Sequence, residues 1–309
     1  MAHELTWGTT VAVLASYRPS PVLGETVLAL TRQVDLVLIV DDGSPGETKP
    51  ILVDLESVGA PDLRRPQNQG IGAILNAGGG YPQAHWQPAN FSTLDLDSVL
   101  VDDYLARPLD TMTAVQSADV AVGCACAESY GGHQSPQRHR VTGPAQVSDP
   151  TQSGFAIPRS TIEKVGLFGG DFFIDGVDSD SPPMRCREAG RATIIELGCT
   201  IEHDLGERGQ ATVFGRQVRI LSRDISFNYH SPCRVYYICS NGTMLSKRSF
   251  RRYPGWVSRC LLEELMEHLL RFLLNPNRVT LVTVAMANFP DASRGRLGQF
   301  PEEQEQRLK

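Results

Sequence analysis

The sequence predicts an α/β domain built on a mostly parallel central sheet with helices on both sides, followed by a C-terminal helical extension. Short apolar runs alternate with helically spaced stretches in the first part of the chain. Those runs are continuous rather than alternating in polarity, which marks strands buried on both faces. Beyond residue 250 the pattern changes to leucines at helical spacing, setting the end of the chain apart.

The first element is the run Thr10 to Ala15, rich in β-branched residues and bounded by Ser16-Tyr17-Arg18-Pro19. Val22 to Thr31 has helical spacing, and Leu36 to Val40 is a second apolar run that ends at Asp41. Together they form a βαβ unit. Ligands in such sheets bind beyond the carboxyl ends of the strands, so Tyr17 and the pair Asp41-Asp42 are expected to face one crevice. The stretch from Asn68 to Gly80 follows the second crossover. It reads equally as backbone approaching a phosphate at a helix N-terminus or as a short helix ended by three glycines.

Asn90 to Leu94 leads into Asp95-Leu96-Asp97-Ser98. On an extended strand end, positions i and i+2 share a face, so both carboxylates reach one site. Oxygen ligands of this kind suit Mg²⁺ or Mn²⁺. Ala127 to Pro150 is rich in turn formers and is expected to be a long loop, with His133 and His139 as loop residues. An acidic cluster, Asp175, Asp178 and Asp180, is followed by Ser181-Pro182-Pro183, which places a helix start near Pro183. Trp256 to Leu274 is an amphipathic helix and Arg278 to Asn288 a second, more apolar one; the charged tail Pro301 to Lys309 is expected to be disordered.

The 309 residues are 21% charged and 41% hydrophobic, enough for a sizeable core. With 29 basic and 35 acidic residues the formal charge is −6, which argues against a general nucleic-acid binder. Seven cysteines without CxxC spacing suggest neither a disulfide scaffold nor a zinc site, and the expected compartment is a reducing cytoplasm. The N-terminal apolar run is too short for a secretion signal, and no run approaches the length of a membrane span.

The motifs together resemble an inverting family 2 glycosyltransferase of the GT-A, Rossmann-like fold, most closely its rhamnosyltransferase branch. The resemblance rests on Tyr17, Asp41-Asp42-Gly43-Ser44, Asn68-x-Gly70-x-x-Ala73-x-x-Asn76 and Leu94-Asp95-x-Asp97-Ser98. It continues through Gln152-Ser153-Gly154-Phe155, Phe172 to Asp180, His203-Asp204-Leu205-Gly206 and Arg234 to Asn241, so it spans roughly residues 9 to 245. The implied organisation is a catalytic domain over 1–245, a helical extension over 246–300 and the tail 301–309.

The resemblance also implies roles. Tyr17 stacks on the nucleobase and Asp42 accepts its imide hydrogen, with Asp41 adjacent; Ser16, Arg18, Asn68, Gly70 and Asn76 complete the donor-nucleotide set. Asp95 and Asp97 bracket the ribose and the metal, Mn²⁺ or Mg²⁺, Asp97 being the more direct ligand, and His203 completes the metal site. Asp178 is the general base, with Asp175 and Asp180 as alternatives and Gly154 on the acceptor side. The implied donor is a dTDP- or UDP-linked sugar, L-rhamnose in the nearest branch, and the acceptor a glycan, a lipid-linked glycan or a small molecule. The chain departs from the family pattern at Ser181 to Arg185, which is one residue longer, and at Ser240, where arginine is usual. Lys247 or Arg248 would compensate for that arginine.

Two rival readings stand beside this one. A sugar-nucleotide nucleotidyltransferase would show a glycine-rich loop with Arg and Lys after the first strand, where this chain has Ser16-Tyr17-Arg18-Pro19. A degenerate glycan-binding module need not retain the carboxylates. For residues 256 to 288 the expectation is packing or homodimerisation, with peripheral contact at the inner face of the membrane as the alternative.

Overall fold

The computed structural model describes residues 9–116, 121–138, 145–147, 150–202, 208–210, 212–213, 216–217, 219–220, 223–224, 226–228, 230–275, 277–295, 297 and 299–300. The chain divides into two compact units, Met1–Asp171 with Val177–Asp204, and Phe172–Gly176 with Leu205–Lys309.

The first unit contains β1 (Thr10–Ser16), α1 (Leu23–Leu30), β2 (Leu36–Asp41), α2 (Lys49–Ser57), β3 (Asp62–Arg64), α3 (Ile71–His85), β4 (Asn90–Asp95), β5 (Val99–Leu100) and α4 (Ala106–Gln116). It continues with β6 (Val122–Tyr130), β7 (His133–Gln134), β8 (Gln137–Arg138), β9 (Gln146–Val147), β10 (Phe155–Pro158), α5 (Arg159–Val165), α6 (Pro182–Glu188) and β11 (Ala192–Glu202). The main sheet has the order β3-β2-β1-β4-β10-β6-β11-β9-β8. β1 pairs in parallel with β2 and β4, and β6 with β11, whereas β10 runs antiparallel between β4 and β6. Because β10 opposes both neighbours, β4 and β6 point the same way. The carboxyl ends of β1, β2, β4 and β6 therefore share one edge of the sheet.

The continuous apolar runs are the core of this unit. Val11 to Leu14 and Val37 to Val40 are at most 1% exposed, as expected of strands covered on both faces. The glycine-rich stretch does not end a short helix: α3 runs straight through Gly78, Gly79 and Gly80. A side chain at Gly78 would run into Val13 and lie 3.0 Å from Val40 Cγ2, so its absence lets α3 settle directly on β1 and β2. Gly79 meets Leu167 in the same way. A second difference concerns Ala127 to Tyr130, expected to open a loop. These residues extend β6, which is held along its length by β11, and the turn begins only at Gly131.

Among the described residues, the second unit holds three two-stranded antiparallel pairs, Arg208–Gln210 with Ser226–Asn228, Thr212–Val213 with Arg216–Gln217, and Arg219–Ile220 with Arg223–Asp224. Three helices follow, α7 (Pro232–Ser249), α8 (Pro254–Leu274) and α9 (Arg278–Ser293). Phe173 stacks on Tyr237 with centroids 5.1 Å apart, and Asn241 donates to the backbone oxygens of Ile174 and Asp175 at 2.6 and 2.8 Å. Helix α8 buries Val257 and Arg271 and leaves Leu262, Leu265, Met266 and Leu273 exposed. No helix among the described residues is long and apolar enough to cross a membrane. The tail 301–309 lies outside the described residues.

Candidate active site

The edge where the parallel strands end carries the polar residues singled out above. Strand pairing sets Ser16 beside Asp41 and Ala15 beside Asp95, which brings the ends of β2, β1 and β4 into one row. Asp41 and Asp42 are buried there. The Asp41 carboxylate accepts the Ser44 N–H at 3.1 Å and the Ser44 hydroxyl. Ser44 Oγ in turn accepts the Arg18 N–H at 2.8 Å. This ties the turn after β1 to the turn after β2. Arg18 has a left-handed backbone (φ 52°) and its guanidinium carbon lies 5.3 Å from the Tyr17 ring centroid. Tyr17 itself is 37% exposed, an open aromatic surface at the strand end.

Asp42 accepts the Gln69 N–H at 2.9 Å on one oxygen and the Gly70 N–H at 2.8 Å on the other. Burial pushes its carboxyl above the ordinary range, although those two N–H groups pull in the opposite direction. Asn68 Oδ1 also accepts from Gly70, at 3.1 Å, and Gly70 takes a φ of 89° that permits the turn into α3. Asn76 uses both ends of its carboxamide on Phe168, donating to its carbonyl at 3.0 Å and accepting its N–H at 2.8 Å. The Ser16 hydroxyl is buried and has no hydrogen-bond partner among the described residues.

Asp95 ends β4, and Asp97 lies in the turn that follows rather than on a continuing strand. Tyr130 Oη, at the end of β6, donates to Asp95 Oδ2 at 2.9 Å. Gln152 Nε2 donates to Asp95 Oδ1. The Gln152 N–H donates to Asp178 Oδ1 at 2.5 Å. Gln152 reaches this position because β10 is antiparallel to β4: the residues before Phe155 run on past Thr93 toward Asp95. The Tyr130 phenol is pushed up in pKa, first by burial and then by the charges of Asp95, Asp97 and Asp178. Three carboxylates from two segments, Asp95 with Asp97 in one and Asp178 in the other, thus act on one hydroxyl, and Tyr130 stays protonated as a donor.

The remaining acidic residues are engaged elsewhere. Asp175, with φ 60°, is gripped by Arg234 through Nε and Nη2 at 3.0–3.3 Å. Asp180 pairs with Arg185 at 3.0 Å. Asp178 opens the single turn Asp178–Asp180, and α6 begins one residue before the expected Pro183. Gly154, at φ 83°, donates to Thr93 O at 2.6 Å and accepts from Tyr104 Oη at 2.9 Å. A side chain there would run into Ile201 and Tyr104. Ser240 bonds to the Tyr236 and Tyr237 carbonyls, Lys247 to the Ser293 carbonyl at 2.7 Å, and Arg248 lies over Phe172. His203 lies outside the described residues.

Tyr130 and Gln152 are the two site residues whose roles the sequence reading missed. Tyr130 had a signal in the apolar run that leads up to it, since an aromatic at a strand end repeats the position of Tyr17. Gln152 stood in view beside Gly154, but nothing local indicates that its side chain meets Asp95.

Among the described residues, no group of three His, Cys, Asp or Glu side chains gathers closely enough to hold a metal ion. Asp95 and Asp97 still fit a hard divalent cation, because Mg²⁺ and Mn²⁺ take one or two carboxylates and fill their other positions with water or phosphate oxygens.

The family model for glycosyl transferase family 2 matches residues 11–174. No curated protein matches the chain. Among solved structures, GalNAc-T7 with UDP, GalNAc and Mn²⁺ superposes with a TM-score of 0.56 at 14% identity, over 81% of this chain and 49% of that one. This chain therefore spans about half the length of that structure. The mannosyltransferase PcManGT from Pyrobaculum calidifontis, in complex with GDP-Man and Mn²⁺, superposes with a TM-score of 0.51 at 16% identity, over 94% of this chain and 76% of that one. At these identities the likeness concerns the fold.

Proposed function

The chain belongs to glycosyl transferase family 2, and from that premise we propose that its acidic sheet edge binds a nucleoside-diphosphate sugar with a divalent cation and transfers the sugar with inversion. It is a glycosyltransferase of the GT-A fold. The observation that supports the finer reading best is the convergence of Asp95, Asp97 and Asp178 on Tyr130.

In an inverting transfer the acceptor hydroxyl attacks the anomeric carbon from the face opposite the departing diphosphate. One carboxylate removes the proton and no enzyme nucleophile is required. Asp178 takes this role in our reading. The Gln152 N–H orients Asp178, and the side chain of the same residue meets Asp95. Tyr17 stacks on the base, and Asp42 accepts its imide hydrogen; an ionised carboxylate has acceptor capacity beyond the two N–H groups it already holds. Asp95, Asp97 and His203 hold the cation, Mn²⁺ or Mg²⁺. When bound, that ion neutralises charge on the leaving diphosphate. The two solved relatives that carry Mn²⁺ support its presence.

The donor in this reading is a dTDP- or UDP-linked sugar, since thymine and uracil share one imide edge, with L-rhamnose from dTDP taken from the sequence resemblance. The acceptor is a hydroxyl of a glycan, a lipid-linked glycan or a small molecule. A screen of dTDP-, UDP- and GDP-linked sugars, read by hydrolysis and by thermal shift with and without MnCl₂, tests the proposal. One donor class should raise the melting temperature and be slowly hydrolysed in a metal-dependent way. A screen in which no nucleotide sugar shifts the melting curve with Mn²⁺ would overturn it.

A further inference from the structure

Gln152 is 6% exposed and stands where the segment before β10 passes the end of β4. It makes three contacts there with three different partners. Its Nε2 donates to Asp95 Oδ1, its N–H donates to Asp178 Oδ1, and its carbonyl accepts the Thr93 hydroxyl at 2.6 Å. The fourth polar group, Oε1, is buried and has no partner among the described residues. An unpaired buried carbonyl costs free energy. A glutamine retained for packing alone would be better replaced by an apolar residue of the same shape. Its carboxamide is oriented to serve the carboxylate instead of itself.

Tyr130 supplies a donor to the other oxygen of Asp95, so both oxygens of this carboxylate accept a hydrogen bond. The same residue that fixes Asp95 through its side chain fixes Asp178 through its backbone. The donor-side and acceptor-side carboxylates therefore cannot shift independently while Gln152 stays in place.

We propose that Gln152 is a positioning residue of the transfer reaction, coupling the carboxylate beside the metal and ribose to the general base. The proposal rests on the glycosyltransferase reading of this edge. It implies that stability and function respond in opposite directions to one substitution. Gln152→Met retains length and backbone bonds and removes the unpaired Oε1 together with the donor to Asp95.

The test titrates UDP, dTDP and GDP into the full chain by calorimetry, with and without MnCl₂, for the wild type, Gln152→Met and Gln152→Ala, with melting temperatures alongside. Gln152→Met should melt at or above the wild-type temperature and yet lose about tenfold in Mn²⁺-dependent nucleotide affinity, the loss of one charge-assisted hydrogen bond. Gln152→Ala should show the same affinity loss. Wild-type affinity in both variants overturns the role of Gln152 and leaves the glycosyltransferase reading standing, as does a drop in melting temperature with affinity per folded molecule unchanged. A wild-type protein that binds none of the three nucleotides with Mn²⁺ overturns the reading itself, and the proposal with it.

Discussion

Tyr130 donates its hydroxyl to Asp95 Oδ2 at 2.9 Å, across the gap between the ends of β6 and β4. Burial, and after it the carboxylates of Asp95, Asp97 and Asp178, keep the phenol protonated, so its proton stays available to Asp95 over the physiological range. Tyr130→Phe removes that donor and leaves the ring in place. Mn²⁺-dependent nucleotide affinity should fall by roughly ten- to a hundredfold, the equivalent of a hydrogen bond to a charged group, with little change in melting temperature. An unchanged affinity would show that Asp95 needs no support on this oxygen.

Asp97 follows β4 in the turn, half-buried and close enough to act on Tyr130. Asp97→Ala should abolish the difference between nucleotide binding with and without Mn²⁺ while leaving the fold intact, because the side chain lies outside the strand ladder. Calorimetry with MnCl₂ and with EDTA makes the comparison. A variant that retains the wild-type metal dependence would remove Asp97 from the metal site.

Asp178→Asn preserves the shape of the side chain and its acceptor oxygen for the Gln152 N–H but cannot take a proton. Donor affinity should stay within about twofold of wild type, while turnover falls by roughly 10² to 10⁴, the range that general-base catalysis contributes. Turnover near the wild-type rate would move the base to Asp175 or Asp180. Those two are separable in advance: each is ion-paired, with Arg234 and Arg185, so substituting either should also disturb local structure.

The parts of this site legible in the sequence are those that depend on a residue's own neighbours along the chain. The runs at Val11 to Leu14 and Val37 to Val40 announced buried parallel strands, and the motif residues Tyr17, Asp41 and Asp95 lie on or just beyond the expected strand ends. What escaped depends on partners far away. Gly78 looked like a helix terminator because its reason, the side chain of Val13, belongs to another element. Tyr130 falls in a stretch rich in turn formers that reads as a loop, while pairing with β11 carries the strand through it. Gln152 depends on β10 being inserted antiparallel between two parallel strands, and no periodicity encodes that choice.

The helical unit carries a prediction independent of the active site. His268 in α8 accepts from Arg271 Nη1 through Nδ1 at 2.7 Å, which leaves Nε2 as the protonated nitrogen, 3.4 Å from Cys239 Sγ and 3.6 Å from Glu264 Oε2. Burial first, and the Arg271 charge second, lower its pKa to about 4 from the ordinary 6.5. The folded state thus resists protonation that the unfolded chain accepts. Above pH 6.5 both states hold a neutral ring and His268 adds no pH dependence. As the pH falls from 6.5 toward 4 the unfolded state binds the proton first, and stability drops by up to about 1.4 kcal/mol per pH unit. Glu264, whose carboxyl is raised by burial, works in the opposite sense, so the wild-type curve alone does not isolate the histidine. His268→Gln does: it is neutral at every pH and keeps Glu264. Urea midpoints measured for both proteins from pH 7.5 to pH 5 should show the wild type losing stability relative to the variant below pH 6.5, and parallel curves would mean that His268 is not buried as a neutral ring.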